Sequence, residues 1–371
     1  MYRIVLMSIA IHSCYLGSKV VLSLLALELG AAQALIGVLA ALYAVVPLFL
    51  GIYSGRLADT IGMRAPMLIG TAFTAAAMLC GFFWRDLAAL FLVATLMGTG
   101  FVFFNVSAQN LAGGYGRPEQ RARNFSILSI GYSVSAFIGP MFGGFSIDLA
   151  GHYWTFLYFS LFTLVPFTVL ALYGHLTRVE VPQHPEQERR TLDLLGDPPL
   201  RRLILTSGLA VAASDLFAFY MPIFGHSIGL TASEIGLILG SYAAAAFLVR
   251  FALPALLRMM PTGKLMFTFM LAAGAGFLVL PALHNIYLLL LLAFVIGIGL
   301  GCGQPLLMMM SYEKSPAGRT GEVTGLRLTA NNVARVIVPL VSGALGTALG
   351  AAPVFWMNAV NLAAVSWLAR R

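Results

Sequence analysis

A few polar side chains stand inside long apolar stretches, at spacings that could do chemistry. His12, Tyr15 and Lys19 fall at i, i+3, i+7. At ~100° per residue a helix places all three within about 60° of one another, as one polar stripe. Arg327, Asn331 and Arg335 fall at i, i+4, i+8 and make a second stripe about 12 Å long at 1.5 Å per residue. Asp215 stands one turn before Phe219, Asn105 and Gln109 share a helical face, and Gln304 sits beside Pro305. Such groups recognise charge and carry protons. They do not make a bond-forming centre, which needs paired carboxylates, a Ser/Lys dyad or a metal set. The histidines show no ligand spacing, and Cys14, Cys80 and Cys302 have neither metal nor disulfide spacing. No catalytic residue, metal or cofactor is expected.

The elements that position these residues follow from composition. Of 371 residues, 60% are hydrophobic and 10% charged, against roughly 25% charged in a typical soluble domain. Too little polar surface remains to cover a water-soluble fold, which excludes a cytosolic enzyme, a nucleic-acid-binding module and a disulfide scaffold. Uncharged runs settle the class: Ala65–Trp84, Tyr153–Gly174, Leu265–Leu283 and Asn285–Tyr312. A helix needs about 20 apolar residues to cross a bilayer, and β-barrels alternate instead. Breaks at charges, glycines and prolines give 12 spans, near 3–27, 33–55, 65–84, 87–112, 122–148, 153–174, 202–225, 233–257, 264–283, 286–312, 321–349 and 351–369. The N-terminal apolar stretch holds Lys19 and Glu28 and is too long for a signal-peptide core, so it reads as the first span.

With the N-terminus inside, 18 of the 22 lysines and arginines fall in cytoplasmic segments or helix ends, and Arg85 alone faces outside. That bias predicts a multi-pass protein of the inner (cytoplasmic) membrane with both termini cytoplasmic. The net charge of +8 is then a product of topology rather than a nucleic-acid surface. Residues 175–202 carry ten charges and four prolines, and separate six spans from six. The expected organisation is an N-terminal bundle over 1–174, a linker over 175–201 and a C-terminal bundle over 202–371.

The two halves match at a constant offset of 199 residues. Ile36-Gly37 to Tyr43-Ala44 meets Ile235-Gly236 to Tyr242-Ala243, Gly98 meets Gly297, Asn105 meets Gln304, Pro140 meets Pro339, Gly144 meets Gly343 and Ser8 meets Ser207. Parallel six-span repeats are an architecture of secondary transporters.

Two motifs carry a family resemblance. Gly55-Arg56-Leu57-Ala58-Asp59-Thr60-Ile61-Gly62-Met63-Arg64, between spans two and three, resembles the signature loop of the major facilitator superfamily, with Thr60 and Met63 in place of basic residues. Gly139-Pro140-Met141-Phe142-Gly143-Gly144 in the fifth span resembles the antiporter motif of the drug-efflux branch, with Ser135 at an earlier glycine position. The resemblance spans the chain. It implies an all-α fold of two pseudo-symmetric six-helix bundles, with spans one, four, seven and ten around a central cavity. It also implies that Gly55, Asp59, Gly62 and Arg64 act as a conformational latch. At the latch-equivalent places of the second half stand Pro254 and Arg258.

The resemblance makes His12, Tyr15, Lys19, Asn105, Gln109, Phe219, Tyr242, Gln304, Arg327, Asn331 and Arg335 candidate solute contacts. Tyr43 and Tyr242 repeat across the halves, which suits packing as well. A charge inside a span is costly and therefore a functional candidate. Three in-span cations, Lys19, Arg327 and Arg335, face one mid-span acid, Asp215, and an anionic solute would offset the excess. Lys19 and Asp215 could instead neutralise each other, and Arg327 could reach the cytoplasmic face. Asp215 is the first candidate for proton coupling and His12 the second. The expectation is a monomeric secondary transporter whose partners are a small organic solute, protons and the lipid bilayer, with no nucleic acid. A drug/proton antiporter is the alternative and a non-transporting membrane sensor a remote one.

Overall fold

The computed structural model describes residues 1–114, 120–173, 191–316 and 319–370. Thirteen helices account for almost all of them, with no strand among the described residues: α1 Tyr2–Glu28, α2 Gln33–Ile61, α3 Arg64–Phe83, α4 Leu87–Gly114, α5 Arg121–Ala150, α6 His152–Phe162, α7 Leu164–Leu172, α8 Pro198–Ser227, α9 Ala232–Met259, α10 Thr262–Val279, α11 Ile286–Lys314, α12 Thr320–Leu349 and α13 Ala351–Arg370. Among the described residues twelve spans are long and apolar enough to cross a membrane, and α6 with α7 makes one of them. The break at Thr163 has a local cause. Pro166 has no N–H and its ring crowds the carbonyl of Phe162, so the ladder stops there. The Thr163 hydroxyl donates to the Ser160 carbonyl across the gap at 2.6 Å.

Most of the expected linker, 175–190, lies outside the described residues. Residues Thr191–Gly196 form a 3₁₀ turn, and α8 begins at Pro198, four residues earlier than expected. Proline suits the first helical turn, where its missing N–H had no partner to lose. Internal prolines in α2, α5, α8, α9, α11 and α12 remain helical, as membrane helices tolerate where neighbours re-satisfy the backbone.

Two compact units divide the chain. Unit 1 comprises Met1–Ala32, Leu39–His184 and Thr231–Leu237, and unit 2 comprises Gln33–Val38, Pro185–Leu230 and Ile238–Arg371. The first turns of α2 and α9 thus pack in a different unit from the rest of each helix.

The repeat reappears as packing. In unit 1 a Cβ added to Gly98 would lie 2.8 Å from the carbonyl oxygen of Tyr43, and in unit 2 one added to Gly297 would collide with the carbonyl of Tyr242. Small residues let membrane helices approach to backbone contact, so the repeated glycine-tyrosine pairs are helix crossings. Gly151 and Gly350, also 199 residues apart, both take φ +85° and end α5 and α12 in tight turns that only glycine adopts easily. Asp148 accepts from the N–H groups of Ala232 and Ser233 at 3.2 and 2.7 Å, capping α9 in unit 1. Its repeat partner Thr347 accepts from Ala34 at 2.7 Å, capping α2 in unit 2.

Candidate functional site

In unit 1 the stripe of α1 meets aromatic rings. Lys19 is only 2% exposed. Its ammonium stands 4.7 Å from the centre of the Tyr15 ring and 5.9 Å from that of Tyr43. Tyr15 stacks on Phe101 of α4 at 3.9 Å, and Phe101 meets His12 edge-on at 4.8 Å. His12 stacks in turn on Tyr132 of α5 at 4.1 Å. A ring face attracts a cation by about 0.5–2 kcal/mol, most when both are desolvated. Aromatic faces therefore hold the lysine charge of this unit. His12 Nδ1 lies 3.2 Å from the Ser8 carbonyl oxygen, which can only accept, so this nitrogen carries a proton.

The amides of α4 are placed by α5. The Tyr132 hydroxyl donates to Asn105 Oδ1 at 2.9 Å. Gln109, one turn further along α4, is exposed and lies within electrostatic reach of the same hydroxyl. Tyr43 is buried, its hydroxyl 2.9 Å from Ser18 Oγ, which ties α2 to α1.

In unit 2 charge meets charge. Arg335 Nε donates to Asp215 Oδ2 at 2.7 Å, joining α12 to α8. The two side chains are 37% and 19% exposed, so the pair is accessible. Arg327 is 4% exposed and donates to Ser207 Oγ at 3.4 Å, and Ser207 donates to Asn331 Oδ1 at 2.8 Å. Arg327, Asn331 and Arg335 thus face α8 as one stripe. Tyr242 packs its ring 5.0 Å from Phe217. Phe219 is buried, whereas Gln304 is exposed on α11.

Two of the charged side chains meet partners inside unit 2. Asp215 is held by Arg335. Arg327 does not reach for a membrane face, because it turns inward to Ser207. Three residues escaped the sequence reading. Arg250 reads as a helix-end charge, yet α9 runs nine residues beyond it, and it interacts with Tyr242 and Cys302. Tyr132 reads as one more apolar ring, although its repeat position is Asn331. In the sequence Ser207 stands out only as a match to Ser8.

The motif residues divide. Gly139 packs against α1, where an added Cβ would lie 2.8 Å from the Ser13 carbonyl, and Gly143 faces Gly17 on the same helix. Gly144 lies against Ala232 and Gly236 in unit 1, and Pro140 stands inside α5 without breaking it. The fifth-span motif is a packing surface here. In the signature loop Gly62 takes φ +82° at the end of α2 and Arg64 is exposed. The side chains of Arg56 and Asp59 lie outside the described residues. A Cβ at Gly55 would meet no described atom within 4 Å. Among the described residues no group of histidine, cysteine and carboxylate side chains could hold a metal ion.

The family model described as Major Facilitator Superfamily matches residues 5–339. The vesicular acetylcholine transporters of Rattus norvegicus and Homo sapiens are each 29% identical to this chain over 193 residues, covering 51% of it and 34% of their own length. The chain therefore spans about a third of the length of these relatives. Among solved structures, a peptide transporter (POT) matches with a TM-score of 0.81 at 16% identity, over 100% of this chain and 93% of that one. A nucleoside transporter, NupG, matches with a TM-score of 0.82 at 14% identity, over 99% and 98%. At such identities the structural likeness establishes the fold.

Proposed function

The chain belongs to the major facilitator superfamily, and from that premise we propose that it is a proton-coupled secondary transporter of a small organic anion, working by alternating access in a cytoplasmic membrane with both termini inside. The observation that carries this reading is the Arg335–Asp215 pair, with Arg327 and Asn331 on the same stripe. A guanidinium holds a carboxylate through two parallel hydrogen bonds, and a solute carboxylate can compete for Arg335 with Asp215. A proton on Asp215 removes its charge and weakens its hold, which hands Arg335 to the solute. Binding of solute and proton are linked by that exchange. The in-span charges support the sign of the solute. Within unit 2, Arg327 and Arg335 on the α12 stripe outnumber Asp215 on α8, and an anion would offset that sign.

A second reading, drug-type efflux of cations, draws on the Tyr15–Phe101 stack and on relatives named as acetylcholine transporters. Aromatic faces suit a lipophilic cation, but in unit 1 they already hold Lys19. The test is uptake into proteoliposomes under an imposed pH gradient, with organic anions and cationic dyes as separate panels. Proton-dependent uptake of an anion is the expected result. Recognition of cations alone would end the anion reading and promote efflux.

A further inference from the structure

Each unit contains one amide whose direction is set by a hydroxyl. In unit 1 the Tyr132 hydroxyl donates to Asn105 Oδ1 at 2.9 Å. In unit 2 the Ser207 hydroxyl donates to Asn331 Oδ1 at 2.8 Å, while Ser207 itself accepts from Arg327. A carboxamide offers one acceptor oxygen and an NH₂ with two donors. When a hydroxyl takes the oxygen, only the donors remain to be presented. Neither Asn105 Nδ2 nor Asn331 Nδ2 makes a hydrogen bond with a described residue. The pattern is not imposed by the repeat. Asn105 corresponds to Gln304 and Asn331 to Tyr132, so the two units reach the same polarity through different residues at related places.

The surrounding groups hold these hydroxyls in place. Tyr132 is stacked on His12 at 4.1 Å, so its ring has little freedom to swing its hydroxyl away. Ser207 is fully buried on α8 and receives a cation's N–H, which leaves its own hydrogen for the amide. In unit 2 the acceptor Asp215 Oδ2 is likewise engaged by Arg335. On each stripe the amide NH₂ is then the part of the asparagine left to a further partner. His12 Nε2 is the acceptor of the neutral ring, since Nδ1 donates to Ser8.

We infer that Tyr132 in unit 1 and Ser207 in unit 2 are positioning residues that fix the Asn105 and Asn331 amides as hydrogen-bond donors, so that each unit by itself offers donors suited to an acceptor-rich oxyanion, a carboxylate in preference to its amide or amine. The inference rests on the anion reading above and sharpens it, because a cation–anion attraction alone does not tell a carboxylate from other anions or set the direction of neutral groups. Tyr132→Phe keeps the ring on His12 and removes only the donor, after which the Asn105 amide can rotate. Asn105→Asp keeps an acceptor for Tyr132 and replaces the NH₂ by a second acceptor.

Thermal-shift titrations and counterflow in proteoliposomes would use benzoate, benzamide and benzylamine, and butyrate, butyramide and butylamine. The wild type is expected to prefer a carboxylate over its matched amide. Tyr132→Phe and Ser207→Ala should each reduce that preference about tenfold, raising KM with kcat nearly kept, since the lost donor orients an amide rather than supplying charge. Asn105→Asp should abolish carboxylate stabilisation while leaving the folded protein. An unchanged carboxylate-to-amide ratio in both Tyr132→Phe and Ser207→Ala would overturn the inference and leave the anion reading standing if Arg335→Lys still loses transport. A wild type stabilised only by the amines, or by none of the six compounds, would overturn both.

Discussion

The two units share a repeat and its packing but solve the problem of buried charge differently. Unit 1 places Lys19 against the rings of Tyr15 and Tyr43, and unit 2 places Arg335 against the carboxylate of Asp215. In repeat register Lys19 corresponds to Ala218, Asp215 to Leu16 and Arg335 to Ala136, so neither arrangement has a charged counterpart in the other unit. Backbone crossings are held in common, because a glycine on a neighbouring carbonyl has few substitutes. Polar groups can diverge because each needs only a local partner. Ring faces cannot take up a proton, whereas a carboxylate in an ion pair can, and one proton then opens the pair. Under the proposed function, coupling falls to unit 2 and the aromatic-bound cation to unit 1.

The largest expected effect tests the shared part. Gly98→Leu and Gly297→Leu should both abolish folded protein, since each drives a side chain into the backbone of a tyrosine with no flexible end to yield. Detergent-solubilised, monodisperse protein is the readout. Loss at one position with tolerance at the other would mean that the crossings are not equivalent.

Next in size is the ion pair. Arg335→Ala leaves Asp215 without its 2.7 Å partner, and truncating one member of such a pair costs ~2–5 kcal/mol, toward the lower end here because Arg335 is 37% exposed. Transport of an anion should fall at least 30-fold. Arg335→Lys keeps the charge but not the planar fork and should still lose most activity. Asp215→Asn should make uptake insensitive to the pH gradient while solute exchange continues. Normal proton dependence in Asp215→Asn would remove unit 2 from coupling.

How much of this was legible beforehand depends on what holds each feature. Spans were legible because bilayer thickness dictates run length, and the crossings because Gly98 and Gly297 repeat. The break at Thr163 was signalled by Pro166, but a proline in a span more often bends a helix than divides it. The Asp215–Arg335 pair was not legible, because the two residues are 120 apart in the chain and their repeat positions are Leu16 and Ala136. The sign of the excess charge suggested an anion without saying which acid met which base. Arg250 was hidden by counting from a helix end, which gives depth but not facing. Tyr132 could have been found through its repeat partner Asn331, a polar residue at the same place.

A smaller effect separates Lys19 from the acid. Lys19→Ala combined with Asp215→Asn should be no better than Lys19→Ala alone, because Asp215 is already held by Arg335. The loss on Lys19→Ala should be about tenfold in KM, in keeping with one charge contact weakened by ring faces. Tyr15→Phe keeps the ring face and should be nearly neutral, while Tyr15→Leu removes it and should lower stability by about 1 kcal/mol. Rescue of Lys19→Ala by Asp215→Asn would mean that the two residues pair in some other state of the transport cycle, and the division between units would then not hold throughout it.

The smallest effect concerns the two caps, where the units differ by one charge. Asp148 accepts from Ala232 and Ser233, and Thr347 accepts from Ala34, at repeat-related positions. Both satisfy N–H groups that a helix start leaves over, and losing such a cap costs about 0.5–2 kcal/mol. Asp148 adds a negative charge at the positive end of α9, an addition that salt screens because the site is exposed. Asp148→Ala should therefore destabilise more than Thr347→Ala, by about 0.5 kcal/mol in low salt. Asp148→Asn keeps an acceptor and should recover most of the loss. Raising the ionic strength should bring Asp148→Asn and wild type together and leave Thr347→Ala unmoved. Thermal melts of the four proteins in low and high salt give the comparison directly. Equal, salt-independent losses at both positions would show that the carboxylate acts as a plain acceptor, and that the units differ in how they hold charge only at Lys19 and Arg335.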